Sequence, residues 1–247
     1  MSKLPWEAKL AVVLVACTAT IYTVKTIIFG NLSGTAEYVF NSLGFLPINV
    51  LLVTVVLNKL LAIRSQREKM EKLNMVIGTF FSEAGTGLLT YLSEYDPTLD
   101  QIKGKLTVSG STGDEGFKKI RADLKAHSFE VTADTMDLPA LQSYLKGRRD
   151  FLLRLLENPV LLEHQRFTEL LQAVFHLTEE LERRGECTDL PESDRNHLAG
   201  DINRVYGLLV CQWLDYMDYL WRRYPYMFSL AVRTNPFDET ASPVVTA

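Results

Sequence analysis

The sequence predicts an all-α membrane protein, in which an N-terminal hairpin of two transmembrane helices precedes a cytoplasmic antiparallel helical bundle. Three observations support this fold class. Two apolar stretches near the N-terminus are long enough to cross a bilayer, apolar residues recur at helical spacing in the rest of the chain, and no segment offers a pair of strands. With 47% hydrophobic residues among its 247, the chain also has too much apolar surface to be intrinsically disordered.

The hairpin is predicted over residues 1–65, with spans at about 10–29 and 43–63. A helix of about 20 residues crosses the hydrocarbon core of a bilayer, so both stretches are long enough. Lys25 and Lys59 lie within about one turn of a span end, from which a lysine reaches the headgroups. An uncleaved signal-type anchor is the alternative for the first stretch.

The basic residues near the span ends predict the orientation. Residues 30–42, between the spans, contain no Lys or Arg, whereas both flanking segments do; the flanking basic residues are Lys3, Lys9, Arg64, Arg67, Lys69 and Lys72. We therefore expect both termini in the cytoplasm of a bacterium or archaeon, in a multi-pass inner-membrane protein. The outer loop is too short to fold into a receptor domain.

An amphipathic stalk helix is predicted over residues 66–95, because apolar residues follow one another at spacings of three and four. Gly85 and Gly87 weaken its middle, and Asp96-Pro97 ends it. The stripe consists of Leu73, Ile77, Phe80, Ala84, Leu88, Tyr91 and Tyr95.

The cytoplasmic bundle is predicted over residues 96–237, after a glycine-rich linker at 104–116. Its helices are expected at residues 114–127, 139–158, 159–184 and 193–223, followed by a short apolar piece at 226–232. Ser193 is the expected cap of the long helix, and Gly185 the expected stop of the one before it. A short strand at 129–132 is possible but lacks a partner, and the tail 238–247 is predicted to be disordered.

Polar residues within the spans form the first candidate site. Thr18, Tyr22 and Lys25 share one face of the first span, and Thr54 and Asn58 share one face of the second. Such residues are costly in lipid and hydrogen-bond between helices. They indicate packing of the hairpin or of several hairpins, or else the lining of an oligomeric pore.

Aromatic residues near the C-terminus form the second candidate site. Trp221, Tyr224, Tyr226 and Phe228 are interleaved with Arg222 and Arg223, among other basic residues. Tyr and Trp favour a membrane interface, and arginines suit an anionic leaflet. These rings either lie on the membrane beside the hairpin or fill the core of the bundle.

Histidines and acidic residues at helical spacing raise the possibility of a metal site in the bundle. One group is Asp194, His197 and Asp201, a second is His176 with Glu179 and Glu180, and a third is His164 beside Glu163. The Glu-x-x-His pairs of di-metal bundles are absent from the sequence, so surface ion pairs are the favoured interpretation. No catalytic, cofactor-binding or metal residue is therefore predicted.

The predicted function is a non-enzymatic one: a membrane-tethered scaffold or regulatory subunit, whose expected partners are the lipid bilayer and a protein or further copies of itself. One alternative is a homo-oligomeric channel or transporter subunit, and a second is a metal-dependent enzyme with a site in the bundle core. A net charge of −4 disfavours nucleic acid as a partner, because phosphate binding requires concentrated Lys and Arg. The three cysteines, with no close pair, exclude a disulfide framework.

Overall fold

A computed structural model describes residues 6–29, 34–131, 135–159, 161 and 164–245. In these residues the chain is helical and contains no β-strand, which confirms the all-α class. The chain divides into two compact units, Met1–Lys69 and Met70–Ala247. The strand considered at 129–132 does not form over its described residues, and Thr132 lies outside them; instead, the backbone N–H of Val131 donates to Asn203 Oδ1 at 2.6 Å.

The first unit contains α1 (Trp6–Phe29) and the first part of α2 (Gly34–Phe80), which contact each other where α1 ends and α2 begins. Lys25 Nζ donates to Asn41 Oδ1 at 2.8 Å, and the rings of Phe29 and Phe40 meet edge to face with centroids 4.3 Å apart. The helix of the second span therefore begins well before residue 43, and most of the expected loop 30–42 is helical. The contact of Phe40 with Phe29 on α1 favours this extension, because the sequence pattern had assigned Phe40 to a loop without a partner.

In the second unit, the segment expected to be a stalk is part of the core. The end of α2 continues through a π-turn (Phe81–Gly85) into α3 (Thr86–Ser93). From Leu73 to Leu88, the predicted stripe is buried. An apolar stripe is stable only against a partner, and the long helix Glu192–Arg223 provides one.

Seven further helices complete the second unit in its described residues. They are α4 (Asp100–Leu106), α5 (Gly113–Ala126), α6 (Leu138–Lys146), α7 (Arg149–Leu156), α8 (Gln165–Arg183), α9 (Glu192–Arg223) and α10 (Pro225–Arg233). The expected linker at 104–116 thus begins inside α4, where Leu106 is buried. The expected helix 139–158 is divided into two at Gly147 and Arg148.

Capping explains where α8 and α9 begin and end. α8 begins at residue 165 rather than 159, because His164 caps it: its Nδ1 accepts from the Phe167 N–H at 3.1 Å. Burial lowers the pKa of His164, which favours the neutral ring that can accept this bond. Gly185 adopts φ +69° directly after the C-cap, as expected for a helix stop. Ser193 is not the cap of α9, since that position is held by Pro191.

The core is organised around α9, which packs most extensively on α8. Rings from α2 and α8 meet where Phe80 and Phe167 lie 5.4 Å apart. α9 runs antiparallel to the segment of α2 and α3: Tyr216 stacks on Phe81 at 5.3 Å, while Tyr206, ten residues earlier on α9, lies beside Asp96. The C-terminal end of α9 therefore lies at the end of the unit where the chain enters.

Candidate functional site

Some polar residues of the two apolar helices form hydrogen bonds within the first unit. Thr18 Oγ1 donates to the Leu14 carbonyl at 2.9 Å, which satisfies this hydroxyl inside its own helix. Lys25 is bound by Asn41 and lies 3.4 Å from Glu37. Thr54 is half-buried and Asn58 is exposed, whereas the side chain of Tyr22 lies outside the described residues.

The apolar side chains of this unit are largely exposed. Two helical segments are long and apolar enough to cross a membrane, with mean hydropathies of 1.9 and 2.1, and hardly any residue is buried within the apolar 18-residue window of each. They are Ala8–Phe29 and the continuous segment that begins at Glu37. A water-soluble protein rarely exposes a continuous apolar surface of this extent.

The C-terminal aromatic residues divide between the core and the surface. Trp221 Nε1 donates to the Gly110 carbonyl at 3.3 Å, and its ring lies 5.8 Å from that of Phe117. Phe228 is buried, while Tyr226 is 72% exposed. Packing in the core therefore holds for Phe228, and contact with a membrane stays a prediction for the exposed Tyr226.

The candidate groups around His176 and His197 come together between α8 and α9. The Nε2 atoms of His176 and His197 both lie 3.6 Å from Asp201 Oδ2, and both rings lie within 4 Å of Glu180. The sequence placed these residues in two separate groups, because it does not show that the two helices face each other at this point. Among the described residues, no set of three such side chains is arranged to hold a metal ion.

An arginine fixes this cluster at the joint between the helices. Arg184 forms two hydrogen bonds of 2.8 Å with the carboxylate of Asp194 and also donates to Glu180. These bonds lower the pKa of Asp194 and that of Glu180, and they raise the pKa of Arg184. The arrangement is an ion-pair brace that ties the C-terminal end of α8 to the first turn of α9.

A cavity of about 230 Å³ lies between α5, α8 and α9. Leu208, Leu214 and Cys211 line it, and the Arg121 guanidinium at its edge is bound by Asp215 at 2.8 Å. Burial, followed by the charge of Asp215, raises the pKa of the Cys211 thiol, and burial also raises that of Cys187. Neither thiol is thus activated as a nucleophile.

A wider cleft of about 650 Å³ separates α3 and α4 from the segment after α10. Acidic side chains line it, and one of its few basic groups, Lys103, is bound by Glu239. The acidic residues are Glu94, Asp96, Asp100, Asp238 and Glu239. Local sequence patterns do not reveal this cleft, because its two sides lie more than 130 positions apart in the chain. Residues 238–247 are predicted above to be a disordered tail, whereas in the structure Glu239 accepts a hydrogen bond from Lys103.

Comparison with known proteins gives matches along both units. A family model described as the C-terminal helical domain of the uncharacterized protein MJ1433 matches residues 69–233, and a model described as the N-terminal helical domain of MJ1433 matches residues 2–61. The uncharacterized protein MJ1433 of Methanocaldococcus jannaschii is 42% identical over 229 residues, which cover 93% of this chain and 92% of the relative. No solved structure matches the chain.

Proposed function

We propose that this chain, which belongs to the MJ1433 family along both of its helical domains, is a membrane-tethered scaffold or regulatory subunit that binds a protein partner on the cytoplasmic side. The observation that carries the proposal is the contrast between the two units. One exposes apolar side chains along two long helices, and the other has a buried core and a charged surface.

The first unit is the anchor in this proposal. Its helices expose apolar residues such as Leu52 and Leu61. Contact of these side chains with water is unfavourable, whereas contact with lipid tails is not. Backbone groups within both helices are satisfied internally, as a spanning segment requires. Lys25 donates a hydrogen bond to Asn41 near the end of α1, so its ammonium group has a polar partner close to the outer end of the hairpin.

Charge supports an orientation with both termini in the cytoplasm. Basic residues flank the hairpin on the sides away from its turn, and the turn region has none. This orientation places the second unit at the cytoplasmic face of the inner membrane.

The acidic cleft is the surface that we assign to the protein partner. Its exposed carboxylates Glu94 and Asp100 would attract a basic segment, and its volume admits several side chains. The tether would confine such a partner to the membrane surface, which raises its effective concentration there.

The mass and topology of the intact protein in lipid nanodiscs test the anchor. We expect a monomer or dimer, and we expect a maleimide reagent added from the cytoplasmic side of oriented vesicles to label a cysteine at position 130 but not one at position 38. A ring of four or more copies would contradict the scaffold and favour the channel, whose lining would then be Thr18, Lys25, Thr54 and Asn58. A protein that remains soluble without lipid or detergent would contradict the anchor itself.

A photo-crosslinking residue in the cleft tests the partner. Placed at Glu94 in cells, it should yield one adduct of defined mass, and Asp100→Lys should abolish that adduct. The matched control is the same residue at Arg183, an exposed position on α8. Equal adducts at both positions, or no adduct at Glu94, would contradict the assignment of the cleft.

A further inference from the structure

Helix α10 has apolar residues on two opposite faces. Phe228 is only 5% exposed, and Ala231 and Val232 pack with it against the core. On the other side, Tyr226, Met227 and Leu230 are 72%, 40% and 49% exposed. A surface helix of a soluble body normally carries charged residues on its outer side, so this outer face calls for an apolar or interfacial environment.

The outer face begins at the end of the second unit where the chain enters it. Tyr216 stacks on Phe81, one turn before Tyr219. A Cβ atom at Gly78 would lie 2.9 Å from the Tyr216 hydroxyl oxygen, which places this end of α9 beside the part of α2 that begins the unit. Burial, the neighbouring Tyr224 and the charge of Glu71 raise the pKa of Tyr219, in agreement with this placement.

A row of three tyrosine rings continues from there to α10. The ring centroids of Tyr219 and Tyr224 are 5.7 Å apart, and those of Tyr224 and Tyr226 are 6.2 Å apart. Tyr226, the first residue of the outer face, therefore lies at the same end of the unit as Glu71.

Chain connectivity then limits the distance to the bilayer. Glu71 follows Ile63, the last residue of the second apolar stretch, by eight residues. Even a fully extended chain of that length covers only about 28 Å. This step rests on the proposed membrane anchor: with the hairpin in the bilayer, the start of α10 is within reach of the headgroups.

The charges around this face fit an anionic leaflet. α10 contains no acidic residue, and the exposed Arg223 at the end of α9 is separated from it by Tyr224 alone. Tyr226 has the amphipathic ring that favours the headgroup region. Arginines beside an anionic leaflet gain attraction that a neutral leaflet does not offer.

We infer that the outer face of α10, formed by Tyr226, Met227 and Leu230 and preceded by Arg223, lies on the anionic inner leaflet as an interfacial contact. The second unit is thereby attached to the membrane at two places, through the hairpin and through α10. A short helix of this kind binds weakly by itself and depends on the tether to stay at the surface.

Spin-label accessibility on the full chain in vesicles of phosphatidylglycerol and phosphatidylcholine tests this inference. The background carries Cys17→Ala and Cys211→Ala, and single labels replace Leu230, Val53 or Glu130. Val53 lies in the second apolar stretch and reports on the anchor. Glu130 is the aqueous control because it lies far from the start of α10. Its neighbour Val131 is hydrogen-bonded to Asn203, and Asn203 lies twenty residues, or about 30 Å along α9, from Arg223.

We expect the label at position 230 to collide more with oxygen than with a water-soluble nickel chelate, as at position 53, and this preference to fall when phosphatidylglycerol is omitted. An aqueous profile at position 230, with position 53 in lipid, would overturn the inference and leave the anchor standing. An aqueous profile at both positions would overturn the anchor and, with it, this inference.

Discussion

The π-turn in the second unit depends on one glycine that admits a tyrosine hydroxyl. Tyr144 on α6 donates to the Ala84 carbonyl at 2.8 Å, which is the carbonyl that the Leu88 N–H would bond in a regular α-helix. Ala84 and Leu88 are four residues apart, so the hydroxyl occupies a place in the helical ladder, which is a recognised cause of a π-turn. A Cβ atom at Gly87 would lie 3.1 Å from Tyr144 Cζ and closer still to the hydroxyl oxygen.

Gly87→Ala should therefore destabilise the protein despite replacing glycine in a helix. The substitution itself contributes about 0.5–1 kcal/mol of stability in an unobstructed helix. Displacing the hydroxyl leaves the Ala84 carbonyl without its partner, which costs about 1–3 kcal/mol. We expect a net loss of about 1–2 kcal/mol in the free energy of unfolding.

Urea unfolding of the full chain in detergent, followed by the fluorescence of the buried Trp213, provides the measurement. Gly200→Ala is the matched control: this glycine lies in α9 with no atom within 4 Å of its Cβ position, so alanine should stabilise by about 0.5–1 kcal/mol. In a Tyr144→Phe background, Gly87→Ala should lose most of its cost, because the hydroxyl is already absent. Equal effects of Gly87→Ala and Gly200→Ala would refute the reasoning.

Three further predictions concern the second unit. Arg184→Met should destabilise the protein, because it removes the ion pair that lowers the pKa of Asp194. This ion pair stabilises fully above the ordinary carboxylate pKa of about 4 and loses its effect as the pH falls through the lowered pKa of Asp194. The melting temperatures of the two proteins should therefore converge from pH 7 to pH 3, and a constant difference would contradict this. Asp137→Ala should cost about 1 kcal/mol in urea unfolding, because Asp137 caps α6 by accepting from the Ala140 N–H at 2.9 Å, whereas Asp137→Ser should retain most of it. Phe237→Ala should cost about 3–5 kcal/mol, since this ring is 2% exposed and 5.1 Å from that of Trp213; a loss below 1 kcal/mol would show that the segment after α10 is not part of the core.

The burial of Phe228 and Phe237 also changes what a truncation would show. If residues 221–233 lay on the membrane and took no part in the core, deletion of the chain after Trp221 would leave folding intact. In the structure, that deletion removes two buried rings, so we expect it to unfold the bundle.

The sequence by itself determined the all-α class and much of the helical core. These features depend on local signals: the stripe from Leu73 to Leu88 follows from helical periodicity, and the stop at Gly185 follows from the left-handed conformation that glycine adopts. A residue and its neighbours within one or two turns carry all the information that such features need.

The tertiary structure decided what depends on contacts between distant segments. Only the packing of α8 on α9 brings His176 and His197 to Asp201. Only the packing of α6 shows that Tyr144 occupies the space that a Cβ atom at Gly87 would need. Local sequence patterns also did not show the start of α2 at Gly34 or the two apolar faces of α10, because both depend on contacts with other segments. Periodicity shows that a face is apolar, whereas the partner that covers it, or leaves it exposed, is set by long-range packing.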